Sequence, residues 1–369
     1  MVVLRDGSLL LMYTEFTGGG ADESRAHIAL IRSTDNGETW SDPELFFNPP
    51  PNALNAMSVS LLRLFDGRIG CVFVLKHSRT EMTPQWLVSS DEGESWSPAR
   101  PVTDEAGYFV VNNDRLVQLR DGTLVIPYGL HAGAEGDQHE YWKPAWNALC
   151  GLFYSRDGGG TWRRSGHVLT HTPELFYQPS HMDPKVLENP QVAHMFERRL
   201  GIFQEPGVQE LGDGSLMLYM RSNYGIFRAF SRDVESCWEG CGPIPDLNVC
   251  TSPQTIRRLP GSERLVMLYN DRGNVPFGSQ AFTIRSPLAV AFSDDGGKTW
   301  GYAGNLEGAE ESYCYFSLLF ERDQFLMTYY ESASSVSSDG SQVRRNLASL
   351  KFGWGRWPVW LPSSGLKNP

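Results

Sequence analysis

The segment Ser33-Thr34-Asp35-Asn36-Gly37-Glu38-Thr39-Trp40 returns at Ser89–Trp96, Ser155–Trp162 and Ser293–Trp300, each time as Ser-x-Asp-x-Gly-x-x-Trp. A decayed copy at Ser231–Trp238 carries Glu235 in the glycine slot. Fixed positions that recur at wide spacing mark a repeat protein. The residue types suit a hairpin lock: Asp bonds the N–H groups of its own turn, Gly supplies positive φ, and the Trp ring plugs the loop from below. This box is read as architecture that holds the fold and touches no substrate.

A second repeat runs out of phase with the first. Apolar runs flank Asp-Gly turns at Asp6-Gly7, Asp66-Gly67, Asp121-Gly122 and Asp213-Gly214, with weaker versions at Pro260-Gly261 and Asp323-Gln324. Asp-Gly between two β-type runs is a strong hairpin signal. Six hairpins, five of them followed by a box or its remnant, predict an all-β chain: a six-bladed β-propeller with four-stranded antiparallel blades. The 369 residues suit six blades of about 40–50 residues plus loops, hence a single domain over 1–369. The longest gap between turns, from Gly122 to Gly214, predicts an insertion at about 163–200, read as a lid, a specificity loop or an oligomer contact.

Composition supports this and narrows the partners. Hydrophobic residues make up 41% and aromatics 12% of the chain, enough for a large core between blades. A net charge of −11 argues against nucleic acid, which requires a basic stripe, but leaves an anionic small substrate open, because a few arginines can reverse the field in a cleft. No stretch is apolar enough to span a membrane, and no secretory segment precedes the first strand in the chain as given. Such a segment upstream of Met1 would make the protein secreted or periplasmic; the chain as encoded reads as cytoplasmic. The six cysteines are expected to be mainly buried free thiols, with a Cys237–Cys241 disulfide as the alternative. No metal spacing and no cofactor motif appears, and the oligomeric state is unspecified.

If turns and boxes share the lower face, residues eight or nine before a turn, or seven to nine after it, emerge at the upper face. That count selects Ser58, with Lys76 and His77 at the return of the same hairpin. It then selects Asn113 and Asp114, read either as pocket lining or as part of a structural Asp–Arg lock. Glu205 and Arg221 emerge together from the fourth hairpin, Arg285 stands eight residues before Ser293, and Tyr315 and Glu331 belong to the sixth hairpin. A glycine-rich loop after the first hairpin ends in Asp22 and Glu23, read as solvated surface or as an acid held over the pocket. The segment Val343–Phe352 is a candidate closing strand.

Glu205-Pro-Gly-Val-Gln-Glu-Leu-Gly-Asp-Gly-Ser-Leu-Met-Leu-Tyr-Met-Arg221, the boxes, Arg285, Tyr315 and Glu331 together resemble the sialidase (neuraminidase) superfamily of Asp-box (BNR) repeat propellers. The resemblance covers nearly the whole chain, and its Glu, Arg and Tyr placements are more specific than the boxes. It implies a retaining exo-glycosidase acting on a glycan that ends in sialic acid. Because the anomeric carbon of that sugar bears a carboxylate, a neutral Tyr hydroxyl replaces the usual anionic nucleophile. By this resemblance Tyr315 is the nucleophile, Glu205 its base, and Asp22 the acid/base, with Glu23 adjacent. Arg221 and Arg285 grip the carboxylate, and Glu331 orients a neighbouring arginine. The family uses three arginines; the first would open blade one just upstream of Met1, and Arg5 belongs to the opposite face. Two other readings stand beside this one: a propeller hydrolase or lyase for a different sugar, with Asn113, Asp114 and His181 shaping the pocket, and a non-catalytic glycan-binding propeller.

Overall fold

The computed structural model describes residues 1–17, 19, 22–131, 148–168, 203–222, 225–244, 246–250, 252–271, 285–309, 311–321, 324–336 and 342–356. Most of the expected insertion, His181 included, lies outside them. Every named element is a β-strand, as the turn-bounded apolar runs predict.

The first sheet is a meander of β1 (Val2–Val3), β2 (Leu9–Phe16), β3 (Ala26–Ser33) and β4 (Glu44–Phe47). Next come β5 (Asn55–Arg63), β6 (Ile69–Lys76), β7 (Met82–Ser89) and β8 (Arg100–Pro101), then β9 (Tyr108–Val110), β10 (Val117–Gln118), β11 (Leu124–His131), β12 (Leu149–Ser155) and β13 (Arg163–Arg164). Strand β9 pairs with both β7 and β11, so these two hairpin groups form one nine-stranded sheet.

Two further four-stranded meanders follow: β14 (Phe203–Glu210), β15 (Leu216–Ser222), β16 (Gly225–Ser231) and β17 (Glu239–Pro243), then β18 (Thr255–Arg258), β19 (Leu265–Asn270), β20 (Leu288–Ser293) and β21 (Gly301–Glu307). The last sheet has three strands among the described residues: β22 (Glu311–Glu321), β23 (Gln324–Val336) and β24 (Gln342–Arg356). The final strand does come from the C-terminal segment.

The boxes lock as their residue types predict. Asp35 Oδ1 accepts from the Thr39 amide at 2.9 Å and Oδ2 from the Thr39 hydroxyl at 2.5 Å, while the Gly37 amide donates to Ser33 Oγ at 2.8 Å. Gly37 has a φ of 89°, and Trp40 Nε1 donates back to the Gly37 carbonyl. The decayed box keeps only part of this: Asp233 accepts from the amides of Glu235 and Ser236, and the Glu235 side chain instead bonds Tyr154 and Arg156 of the preceding sheet.

Middle strands are apolar on both faces because each sheet packs against two others. Strand β6, Ile-Gly-Cys-Val-Phe-Val-Leu-Lys, is buried along its whole length. One core layer joins Leu10, Met12 and Ile28 to Leu61, Cys71 and Phe73, and comparable layers follow between successive hairpin groups. A sixth joins Leu326 of the last sheet to Met1, Leu9, Leu11 and Ile31 of the first. All six thiols are free, including Cys237, which is exposed where burial was expected. There is thus no Cys237–Cys241 disulfide.

The first strands of the groups meet around a buried arginine. Arg115 donates through Nε to the Pro206 carbonyl at 3.1 Å and through Nη2 to the Gln254 carbonyl at 2.7 Å, and its guanidinium lies 5.6 Å from the Tyr219 ring centroid. The Thr255 hydroxyl then donates to the Phe316 carbonyl at 2.7 Å. This junction brings β14, β18 and β22 together, although they are far apart in sequence.

Candidate active site

Three inner strands slip register at equivalent places: β5 between Met57 and Ser60, β14 between Gln204 and Gly207, and β22 between Cys314 and Ser317. A left-handed residue sits in each slip, Ser58 (φ 61°), Glu205 (φ 45°) and Tyr315 (φ 59°), and Asp114 (φ 55°) occupies the turn before β10. Left-handed φ costs a non-glycine residue about 1–2 kcal/mol, and a bulge turns its side chain off the regular face of the sheet. Counting nine residues back from the turn therefore lands on the bulge. The count was legible in the sequence; the backbone conformation was not. Gly207 makes the bulge in β14 possible, because a Cβ there would come within 2.1 Å of the buried Tyr219 ring.

Glu205 and Tyr315 share one electrostatic site. Arg221 Nη1 lies 2.5 Å from Glu205 Oε2, and both side chains are largely buried. Burial would push the Glu205 carboxyl up, but Arg221, Arg285 and Arg115 together hold it below its ordinary range. The Arg285 guanidinium lies 5.4 Å from the centroid of the Tyr315 ring. Burial first, and then the negative charge of Glu205, push the Tyr315 hydroxyl well above its ordinary value, while Arg285 pulls the other way. Tyr315 is therefore a neutral phenol at ordinary pH, beside the Arg285 guanidinium and within the field of the Glu205 carboxylate. Burial works against the charge of Arg285, but Tyr315, Cys314 and Glu205 outweigh it and keep that residue cationic.

Asp22 belongs to the same neighbourhood. Its side chain is accessible to solvent yet hemmed in by protein, and this crowding raises its carboxyl; Glu205 and Glu23 add to the rise, while Lys76 and Arg285 oppose it. The Asp22 carboxyl is thus coupled electrostatically to Glu205, Arg285 and Tyr315.

The remaining candidates have different surroundings. Asn113 Nδ2 donates to the Tyr315 carbonyl at 3.1 Å and so supports the bulge that carries the phenol. Asp114 Oδ2 lies 2.5 Å from Arg257 Nη2, which also donates to the Asp114 carbonyl at 2.7 Å, and the Leu318 amide points to the same carboxylate at 3.4 Å. An Asp–Arg lock is therefore present, with an arginine from β18 rather than the adjacent Arg115. Glu331 stands opposite Tyr313 in the β22–β23 register, and its charge contributes to the raised hydroxyl of Tyr329.

Arg5 lies at a turn beside Glu92 of the second box, on the lower face as counted. Sequence reasoning missed Tyr330, whose ring packs edge-on to Tyr315 with centroids 6.2 Å apart and whose hydroxyl donates to the Thr14 carbonyl at 2.8 Å. Lys76, which the count placed at the rim of the upper face, is instead fully buried. A lysine that ends an uninterrupted apolar strand was the available signal. Among the described residues, no cluster of three or more His, Cys, Asp or Glu could hold a metal ion.

A family model described as a BNR repeat-like domain matches residues 71–327, and a BNR/Asp-box repeat model matches residues 31–42. A sialidase of Bacteroides fragilis is 25% identical over 383 residues, covering 93% of this chain and 61% of the relative. The solved structure of Trypanosoma rangeli sialidase in complex with sialic acid superposes with a TM-score of 0.64 at 15% identity, covering 96% of this chain and 53% of that one. A leech intramolecular trans-sialidase complexed with 2,7-anhydro-Neu5Ac gives a TM-score of 0.65 at 14% identity, covering 96% and 67%. The chain spans less than two thirds of the Bacteroides relative and of the trypanosomal structure. At these identities the structural likeness establishes a β-propeller-like fold.

Proposed function

Because the chain belongs to the BNR repeat-like domain family, within the sialidase superfamily, we propose that it is a retaining exo-glycosidase that removes terminal sialic acid from glycans. A single six-bladed propeller carries the site in this reading, supported by six core layers of which the last joins the final sheet to the first. The observation that carries the functional reading is the buried Tyr315, stacked by Arg285 and electrostatically coupled to Glu205 and Asp22.

The chemistry follows from the charges. A sugar whose anomeric carbon bears a carboxylate repels an anionic nucleophile, whereas a phenol kept neutral by burial can approach it. Arg221 and Arg285 supply the positive field that draws in the substrate carboxylate. As Tyr315 Oη bonds to the anomeric carbon, Glu205 takes the phenolic proton, and the bond to the leaving oxygen breaks while Asp22 delivers a proton to it. Asp22, now a carboxylate, then removes a proton from the water that attacks the same carbon. The Tyr315 oxygen leaves and recovers its proton from Glu205, so configuration is retained and both carboxyl groups return to their starting states.

A raised Asp22 carboxyl suits the acid role, and a lowered Glu205 carboxyl keeps the base ionised. Asn113 and Asp114 bond protein partners, and in this reading they shape the site without binding sugar. Release of a fluorophore from an aryl sialoside tests the proposal. Wild-type protein should turn it over, Tyr315→Phe should abolish turnover, and Glu205→Gln should slow it by about 10²–10⁴-fold. Failure of the folded wild-type protein to cleave any sialoside would overturn it.

A further inference from the structure

Lys76 ends β6 with its side chain wholly inside the protein. Its Nζ lies 3.1 Å from the Asp22 carbonyl, 3.7 Å from Glu23 Oε1 and 5.4 Å from the centroid of the Tyr108 ring. Asn55, the register partner of Lys76 across β5–β6, is also fully buried, and its Nδ2 donates to the Asp22 carbonyl at 2.8 Å and the Ser24 carbonyl at 2.9 Å. Arg79 adds a guanidinium 3.7 Å from Glu23. Two neighbouring side chains of the second hairpin group thus grip three consecutive residues that follow the first hairpin.

Packing does not demand this arrangement. A methionine would fill much the same volume as Lys76 without the desolvation penalty of a buried ammonium, and a buried amide such as Asn55 is costly unless its polar atoms are bonded. Both residues direct donors at the backbone carbonyl of Asp22, the same residue whose carboxyl is coupled electrostatically to Glu205 and Arg285. We propose that Lys76 and Asn55 form a latch that holds the Asp22 segment over the Tyr315–Glu205 site, which makes Lys76 a positioning residue for proton delivery to the leaving group. This rests on the reading of Asp22 as the general acid. The charge of Lys76 also opposes the rise that crowding imposes on the Asp22 carboxyl, so the latch moderates the acidity of the group as well as its place.

The test uses the full chain, with Lys76→Met and Asn55→Ala, in two arms. Trypsin cleavage after the exposed Arg25, beside the gripped residues, reports on the latch itself: both variants should be cut there about tenfold faster, with cleavage elsewhere unchanged. The second arm compares 3′-sialyllactose, whose leaving alkoxide needs a proton, with 4-nitrophenyl sialoside, whose leaving phenolate needs little help. Each variant should lose about tenfold more turnover on the first substrate than on the second, as should Asp22→Asn.

Unchanged cleavage at Arg25 in both variants would overturn the latch, and equal losses on the two substrates would overturn its role in proton delivery. A wild-type protein inactive on both would overturn the sialidase reading and with it that role, while the trypsin arm still decides whether the latch exists. Should Lys76→Met fail to fold, Asn55→Ala carries both arms.

Discussion

The guanidinium of Arg285 lies against the ring of Tyr315, 5.4 Å from its centroid, although thirty positions separate the two residues in the sequence. Arg285 precedes β20, the third strand of the fourth sheet, and Tyr315 occupies a bulge in β22, the first strand of the last, so their contact crosses a sheet boundary. The pairing places a fixed positive charge beside a phenol whose hydroxyl the Glu205 charge also raises.

Arg285→Lys keeps the charge but loses the planar fork and its stacking on the phenol. The expected outcome is a fall in kcat/KM on an aryl sialoside of about tenfold or more, equivalent to about 1.4 kcal/mol of transition-state binding per factor of ten. Steady-state kinetics with the wild type in parallel measure it; an unchanged kcat/KM would remove Arg285 from the site.

The Asp114–Arg257 pair is mostly buried, so removing one partner leaves the other charge without compensation. Asp114→Ala and Arg257→Met should each destabilise by about 3–5 kcal/mol. The double variant should lose clearly less than the sum, because residues in one ion pair are strongly coupled. Urea unfolding of the three variants closes the cycle, and simple additivity would show that the pair does not act as a unit.

Acid should unfold this protein through its boxes. The Thr39 hydroxyl, then the Thr39 amide and the Ser33 hydroxyl, hold the Asp35 carboxyl down to about 2 from an ordinary 3.8, and Ser95 and Ser89 do the same for Asp91. A carboxyl depressed in the folded state contributes stability that is fully present above its unfolded value and is lost as pH falls through its folded value. The thermal midpoint should therefore hold down to about pH 4 and drop between about pH 4 and pH 2. Asp35→Asn combined with Asp91→Asn should lower the midpoint at pH 6 and shrink the acid drop. A drop of undiminished size in that variant would place the acid sensitivity elsewhere.

Ser58 has the same left-handed backbone as Glu205 and Tyr315, and its contact with the first sheet is made by its amide, which donates to Thr14 Oγ1 at 3.0 Å. Ser58→Gly relieves the strain but adds freedom to the unfolded chain, so a net gain of about 0.5–1 kcal/mol is expected. Ser58→Val, branched at Cβ, should lose at least as much. Chemical denaturation distinguishes these signs, and a stabilising valine would contradict the strain account.

Much of the fold was legible because its signals are local. Each box closes on itself: Asp35 bonds groups no more than four positions away, so eight residues suffice to specify the turn. Asp-Gly turns likewise set the hairpins, and the strand period of two carries Glu205, Arg221, Tyr315 and Arg285 to one neighbourhood by counting. The decayed box shows where such reading stops, since the use of Glu235 depends on Tyr154 and Arg156 of another sheet.

What the sequence by itself determined is therefore the set of hairpins, their common polarity and the residues delivered to each end, all consequences of short-range backbone geometry. The tertiary structure alone decided that Glu205 and Tyr315 sit in left-handed bulges, that Asp114 binds Arg257 instead of its neighbour Arg115, and that Lys76 turns inward to hold Asp22. Those outcomes depend on groups supplied from distant parts of the chain, as when Asn113 reaches the carbonyl of Tyr315. Their free energy is set by burial and by which donor meets which acceptor, and neither is defined until the sheets have packed.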